Sequence, residues 1–238
     1  MTPRIVEVRR NILKKNDALA AALRLRFADA GTTVINLVSS PGAGKTTLLQ
    51  RTLRLLQPEF AVAALVGDLA TERDADRLRQ SNAHVQQITT GTVCHLDAEM
   101  IAAAIEGWPL SEIDFLFIEN VGNLVCPSSY DLGEALRVVL LSVTEGEDKP
   151  LKYPTIFNSA DLVLLTKMDL ASATEFRRQD ALANIDEVRP GVTVLETSAR
   201  GEDGLGAWLG FLCGLRQAAL GDSESARRQL ELTTLQKS

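Results

Sequence analysis

Ser39-Ser40-Pro41-Gly42-Ala43-Gly44-Lys45-Thr46-Thr47 sets a lysine and two threonines directly behind three small residues. Those types in that order suit a phosphate chain. Gly42, Ala43 and Gly44 keep a loop thin enough for successive backbone N–H groups to reach phosphate oxygens, and a following helix adds its positive end. Lys45 can reach the β- and γ-phosphates, and the Thr46 hydroxyl is placed to coordinate magnesium, with Thr47 beside it. Ser39 stands where the first glycine of this pattern usually stands. A chance glycine-rich turn would leave Lys45-Thr46-Thr47 unexplained.

Two acids end apolar runs further along: Asp68 after Val62 to Val66, and Glu119 after Phe115. Carboxylates there can hold magnesium, usually through its waters, or orient an attacking water; a helix cap or a surface charge is the plain alternative. Gly122 permits a close backbone approach to a γ-phosphate. Thr166-Lys167-Met168-Asp169 then selects the base. A carboxylate at Asp169 accepts two hydrogen bonds from guanine N1–H and the 2-amino group, which adenine does not offer, at roughly 1.5–3 kcal/mol each. Lys167 can lay its stem over the ring. The segment resembles the Asn-Lys-x-Asp guanine-reading motif of GTPases with Thr166 in place of Asn, and Thr197-Ser198-Ala199 resembles their second guanine-contacting loop. The three ordered matches point to GTP rather than ATP.

A second group is softer. Cys94-His95 follows Gly91-Thr92-Val93, and Cys126 lies seven residues beyond Glu119. Two thiolates and an imidazole suit zinc, nickel(II) or copper(I). Three ligands leave one coordination position open, which a two-fold dimer could complete. A lone cysteine is usually a small buried hydrophobe, and Cys213, on the apolar face of the last helix, is read that way. His84 is expected at the surface, at a helix end.

Loops can bring such residues together only if a scaffold aligns them. Apolar runs over 34–39, 62–66, 85–88, 115–119, 137–143, 161–167 and 192–196 alternate with helical patterns over 44–57, 71–81, 96–106 and near 204–216. Short apolar runs alternating with helices predict an α/β fold with a mostly parallel, doubly wound sheet, that of a P-loop NTPase. Ligands in such sheets sit beyond the carboxyl ends of the strands, so the loops at 39–46, 67–68, 91–95, 119–126 and 166–169 should gather on one edge. Residues 4–28 predict an amphipathic helix that covers the sheet. Residues 1–30 are read as that helix, 31–220 as the GTPase domain with its metal site, and 221–238 as a polar tail. The 238 residues carry a formal charge of −6, which argues against nucleic acid as the main partner. Three cysteines form no disulfide framework, and no run reaches membrane-spanning length, so a cytoplasmic protein with reduced thiols is expected.

Three longer pieces are more distinctive: Cys94 to Ala98, Glu119 to Pro127, and Ser142-Val143-Thr144-Glu145-Gly146-Glu147-Asp148-Lys149-Pro150-Leu151-Lys152-Tyr153-Pro154. With them, from about Val34 to Trp208, the sequence resembles the hydrogenase nickel-insertion GTPases, the HypB family. The resemblance implies a dimerising P-loop GTPase that uses GTP/GDP and Mg2+, with slow hydrolysis and a GTP-dependent homodimer. It implies Ni2+ or Zn2+ held by Cys94, His95 and Cys126 at the interface. It implies two partners, a small zinc-containing nickel chaperone and the precursor of the [NiFe]-hydrogenase large subunit. Many relatives carry an amino-terminal Cys-x-x-Cys-Gly-Cys or histidine-rich stretch; Met1-Thr2-Pro3-Arg4 begins neither, which leaves the domain site as the expected one. The competing readings are a non-catalytic metal carrier or scaffold with a structural nucleotide, and a related GTPase serving urease or a cobalamin-dependent mutase.

Overall fold

The strands are β1 (Thr33–Ser39), β2 (Val62–Asp68), β3 (His84–Thr89), β4 (Phe115–Glu119), β5 (Leu136–Ser142), β6 (Leu162–Thr166) and β7 (Thr193–Glu196). In the computed structural model they form one sheet in the order β3-β2-β4-β1-β5-β6-β7, every neighbouring pair parallel. The helices are α1 (Pro3–Ala30), α2 (Lys45–Leu56), α3 (Arg73–Arg79), α4 (Ala98–Ala104), α5 (Lys149–Lys152), α6 (Pro154–Asn158), α7 (Arg178–Val188) and α8 (Leu205–Leu235). The structure describes residues 3–201 and 203–235, with side chains for 10–201 and 203–221.

Alternation along the strands splits the core by face. Ile35, Leu37, Phe115 and Phe117 pack with α2, α3 and α8, where Trp208 is fully buried and donates its indole N–H to the Thr52 hydroxyl at 2.9 Å. Val34, Leu116 and Ile118 pack on the opposite face with α1 and α4. Val38, Val139 and Val163 continue that face under α6 and α7. The inner strands are buried on both faces, which is why they read as unbroken apolar runs rather than alternating ones. Edge strands β3 and β7 are only half-buried.

The differences from expectation have local causes. Helix α4 starts at Ala98 because the Asp97 carboxylate caps it, accepting from Met100 N at 2.8 Å. His84 is not at a helix end; it opens edge strand β3, exposed, with its ring edge-on to Trp108. The short helices α5 and α6, each with proline in its first turn, occupy a stretch where the sequence suggested no element. The backbone of α8 runs on to Leu235, past the expected end near 216. The side chains of Ile5 and Val8, and those beyond 221, lie outside what the structure describes. Among the described residues no helix is long and apolar enough to cross a membrane.

Candidate functional site

The carboxyl ends of β1, β2, β4 and β6 open on one cleft of about 610 Å3, which gathers most of the residues singled out from sequence. Gly42, Ala43, Gly44, Lys45, Thr46 and Thr47 form its floor; Asp68, Glu119 and Gly122 line one side, and Lys167, Asp169 and Ala199 the other. The phosphate-type loop turns into α2 at Gly44, whose φ of 101° is a left-handed conformation that a side chain would strain. Gly122 is needed for a different reason. A Cβ there would come within 3.0 Å of Pro41 Cα, so the two loops pack backbone to backbone.

Lys45 is almost wholly buried, and its ammonium donates to the Ser39 hydroxyl at 3.0 Å. Burial holds that ammonium below its usual range. Ser39, the departure from the glycine pattern, therefore anchors the lysine. The Thr46 hydroxyl donates to Glu119 Oε1 at 2.6 Å, while Glu119 Oε2 is buried with no hydrogen-bond partner. Burial raises the Glu119 carboxyl to about 7, with Lys45 and Thr46 pulling the other way. A buried acid with one unmet oxygen beside a threonine hydroxyl fits a hydrated cation at this point. Asp68 ends β2 and turns its carboxylate onto Ala70 N and the Thr71 hydroxyl, at 3.2 and 3.0 Å.

At the other end, Thr166 is buried and its hydroxyl donates to the Ala43 carbonyl at 2.7 Å, so the threonine ties β6 to the phosphate-type loop. Lys167 adopts φ 58° and reaches the Gly42 carbonyl at 2.7 Å. Asp169 accepts from the Ser198 hydroxyl at 2.5 Å. Ser198 is buried outside the cleft lining and fixes Asp169 from behind. Three charged residues of the cleft were not foreseen: Asp74, Arg77 and Arg200. Arg77 donates to the Thr47 hydroxyl at 3.0 Å. In sequence it is one charge of several on a short polar helix, and nothing there distinguishes it.

The thiol group forms a second centre. Ligand atoms of Cys94, His95 and Cys126 lie within 4.8 Å of one another, all half-buried. The two sulfurs are 2.7 Å apart as thiols, with no disulfide. Asn123 joins the loops, donating to the Cys94 carbonyl at 3.3 Å and accepting from Val125 N at 2.8 Å. Cys126 opens a 3-10 turn, Cys126–Ser129. The His95 ring stacks on Tyr130, centroids 3.9 Å apart, and its Nδ1 is buried without a hydrogen-bond partner. Burial lowers the His95 pKa, which favours the neutral imidazole that metals bind. Two sulfurs and one orphaned imidazole nitrogen fit a borderline-soft divalent cation.

A family model described as the CobW/HypB/UreG nucleotide-binding domain matches residues 33–196. The hydrogenase maturation factor HypB of Azotobacter chroococcum mcd 1 is 48% identical over 217 residues, covering 91% of this chain and 71% of that protein. HypB of Escherichia coli (strain K12) is 49% identical over 209 residues, 88% of this chain and 72% of its own. Among solved structures, HypB from Helicobacter pylori in complex with nickel has a TM-score of 0.81 at 43% identity, covering 86% of this chain and 96% of that one. HypB from Archaeoglobus fulgidus has a TM-score of 0.80 at 37% identity, covering 85% and 99%. With the family model spanning most of the chain, and relatives near half identity over most of both lengths, the chain belongs to the HypB family of nucleotide-binding proteins.

Proposed function

We propose that the protein is a GTP-hydrolysing nickel metallochaperone that assists nickel insertion into [NiFe]-hydrogenase during its maturation. The observation that carries this is the common span of the two centres. Glu119, Gly122 and Cys126 lie on one stretch, with the cleft at its start and the thiol pair at its end.

In this reading the amides of Gly42 to Thr47 and the Lys45 ammonium bind the phosphates. Thr46, Asp68 and Glu119 hold the magnesium ion, which supplies charge neutralisation of the β- and γ-oxygens. Lys167, Asp169 and Ala199 take guanine, Ser198 acts through its hydrogen bond to Asp169, and Thr166 links that end to the phosphate loop. Water attacks the γ-phosphorus, the bond to the β–γ bridging oxygen breaks, and GDP and phosphate leave. Contacts of Glu119 to Gly122 with the γ-phosphate shift Cys126, so the cargo site at Cys94, His95 and Cys126 takes up or releases nickel, or zinc in its place, as the nucleotide changes. A shift of a few kcal/mol, typical of linked sites, is enough.

Two copies close on GTP, each offering three ligands. The partners are a small zinc-containing nickel chaperone and the hydrogenase large-subunit precursor, met in the cytoplasm. Residues 31–220 form the working domain, 1–30 its amino-terminal helix and 221–238 a polar tail. Urease is a second client to weigh, because a Helicobacter pylori relative, 45% identical over 212 residues, is named a hydrogenase/urease maturation factor. The test is phosphate release from GTP and from ATP by the purified protein and by Asp169→Ala. Selective GTP turnover, lost in the variant, is expected; equal use of ATP would refute the base assignment, and absent turnover the enzyme.

A further inference from the structure

Among the described side chains of helix α1, Asn16 is the one buried polar group, on a face otherwise built from Ala20, Leu23 and Phe27. A buried amide is costly unless both its ends are met. Asn16 meets them on the two segments that hold the metal-type ligands. Its Oδ1 accepts from Ala98 N at 2.9 Å, three residues after His95. Its Nδ2 donates to the Asp131 carbonyl at 2.8 Å, one residue after the tyrosine that stacks on His95. Ala98 N is one of the first-turn amides of α4 that have no partner within their own helix, and Asn16 supplies the acceptor from a different helix. Arg24, further along α1, holds both Asp131 carboxylate oxygens at 2.7 Å.

A second brace reaches the same two segments from the sheet. Asn120 Oδ1 accepts from Leu96 N at 3.3 Å, and its amide donates to Asn36 at 3.4 Å. Asn36, a polar residue in the middle of buried β1, donates to Glu134 at 3.0 Å. Glu134 accepts from Arg137 Nε at 2.8 Å, and Arg137 Nη2 donates to the Tyr130 carbonyl at 2.7 Å. The backbone just after His95 and the backbone at Tyr130 and Asp131 are thus held by one buried network on one side and by α1 on the other.

We infer that Asn16 is a positioning residue for the Cys94–His95–Cys126 centre, and that α1 is a structural part of that centre rather than only a cover for the sheet. The inference rests on the metal reading above. Groups that orient metal ligands without touching the metal typically change affinity by about 10–100-fold when removed. Asn16 fixes the spacing between the loop bearing Cys94 and His95 and the segment that follows Cys126. Without it the three donors keep their chemistry and lose their registration.

The test uses the full chain: wild type, Asn16→Leu, Asn16→Asp and, as a packing control on the same helix face, Phe27→Leu. Nickel affinity is read by chelator competition, the thiolate-to-nickel charge-transfer spectrum reports the ligand set, and thermal unfolding reports stability. Asn16→Leu should bind nickel ~10-fold or more weakly, with an altered charge-transfer band and unchanged guanine-nucleotide affinity. Asn16→Asp keeps the acceptor for Ala98 N and should fall between it and wild type, and it carries the test if Asn16→Leu fails to fold. Phe27→Leu should lose stability while keeping wild-type nickel affinity and spectrum. Wild-type nickel affinity in both Asn16 variants, or an equal loss in Phe27→Leu, overturns the inference alone. A wild-type protein that binds no nickel overturns the metal reading and the inference with it.

Discussion

Replacing Glu119 by Gln should remove a pH dependence that is unusual in sign for a folded protein. Burial raises this carboxyl from its ordinary 4.5 to about 7, despite Lys45 and Thr46 beside it. Between those values the folded chain keeps a proton that the unfolded chain has released. Stability linked to Glu119 is therefore fully present below the unfolded value and lost as pH rises through the folded one. At about 1.4 kcal/mol per pH unit of difference, the whole effect is about 3 kcal/mol, of which ~2 kcal/mol falls between about pH 5.5 and 8.5. Glutamine keeps the shape and a carbonyl for the Thr46 hydroxyl but does not titrate. Acids whose pKa is lowered, such as Asp131, where hydrogen bonds from Arg24 and Gly133 N overcome burial, are present in both proteins and cancel. The assay is urea unfolding of nucleotide-free wild type and Glu119→Gln across that range. The stability difference between them should change by about 2 kcal/mol in favour of the variant as pH rises. Curves that stay parallel to within ~0.5 kcal/mol would refute the buried, protonated state of Glu119.

Other outcomes follow from single contacts. Cys126→Ala removes one of the three close ligands, and nickel affinity measured by competition should fall ~100-fold or more, beyond the loss on removing a supporting group. Gly122→Ala forces a Cβ to 3.0 Å from Pro41 Cα, so GTP affinity by calorimetry should drop while unfolding midpoints move little. Trp208→Ala empties a fully buried site and removes the N–H that the Thr52 hydroxyl oxygen accepts; chemical unfolding should report a loss of about 3–5 kcal/mol.

The strands were legible because a parallel sheet covered on both faces writes itself as short apolar runs; β4, from Phe115 to Glu119, falls where the run falls. Gathering the loops into one cleft required only the rule that ligands sit at strand carboxyl ends, and the cleft contains Lys45, Asp68, Glu119 and Asp169 together. Thr166 could be seen as a departure from Asn, but its bond to the Ala43 carbonyl joins residues far apart in sequence, which no local pattern encodes. Asn16 was hidden for the same reason. On an amphipathic helix one asparagine looks like solvent-facing polarity until α4 and the segment after Cys126 close over it. Asn36 did leave a readable signal, a lone amide inside an apolar strand, which demands a buried partner. Helices α5 and α6 were missed because each is little more than one turn, too short for a 3.6-residue period to register.

The most direct test of a metallochaperone switched by GTP is a nickel titration of the purified protein with GDP, with a non-hydrolysable GTP analogue and without nucleotide, while light scattering follows the mass. Expected is a dimer formed with the analogue, accompanied by a nickel affinity different from that of the GDP form, and loss of that difference in Cys126→Ala. A nickel affinity that is the same in all three nucleotide states would contradict the coupling, leaving two neighbouring sites on one stretch of chain with no switch between them.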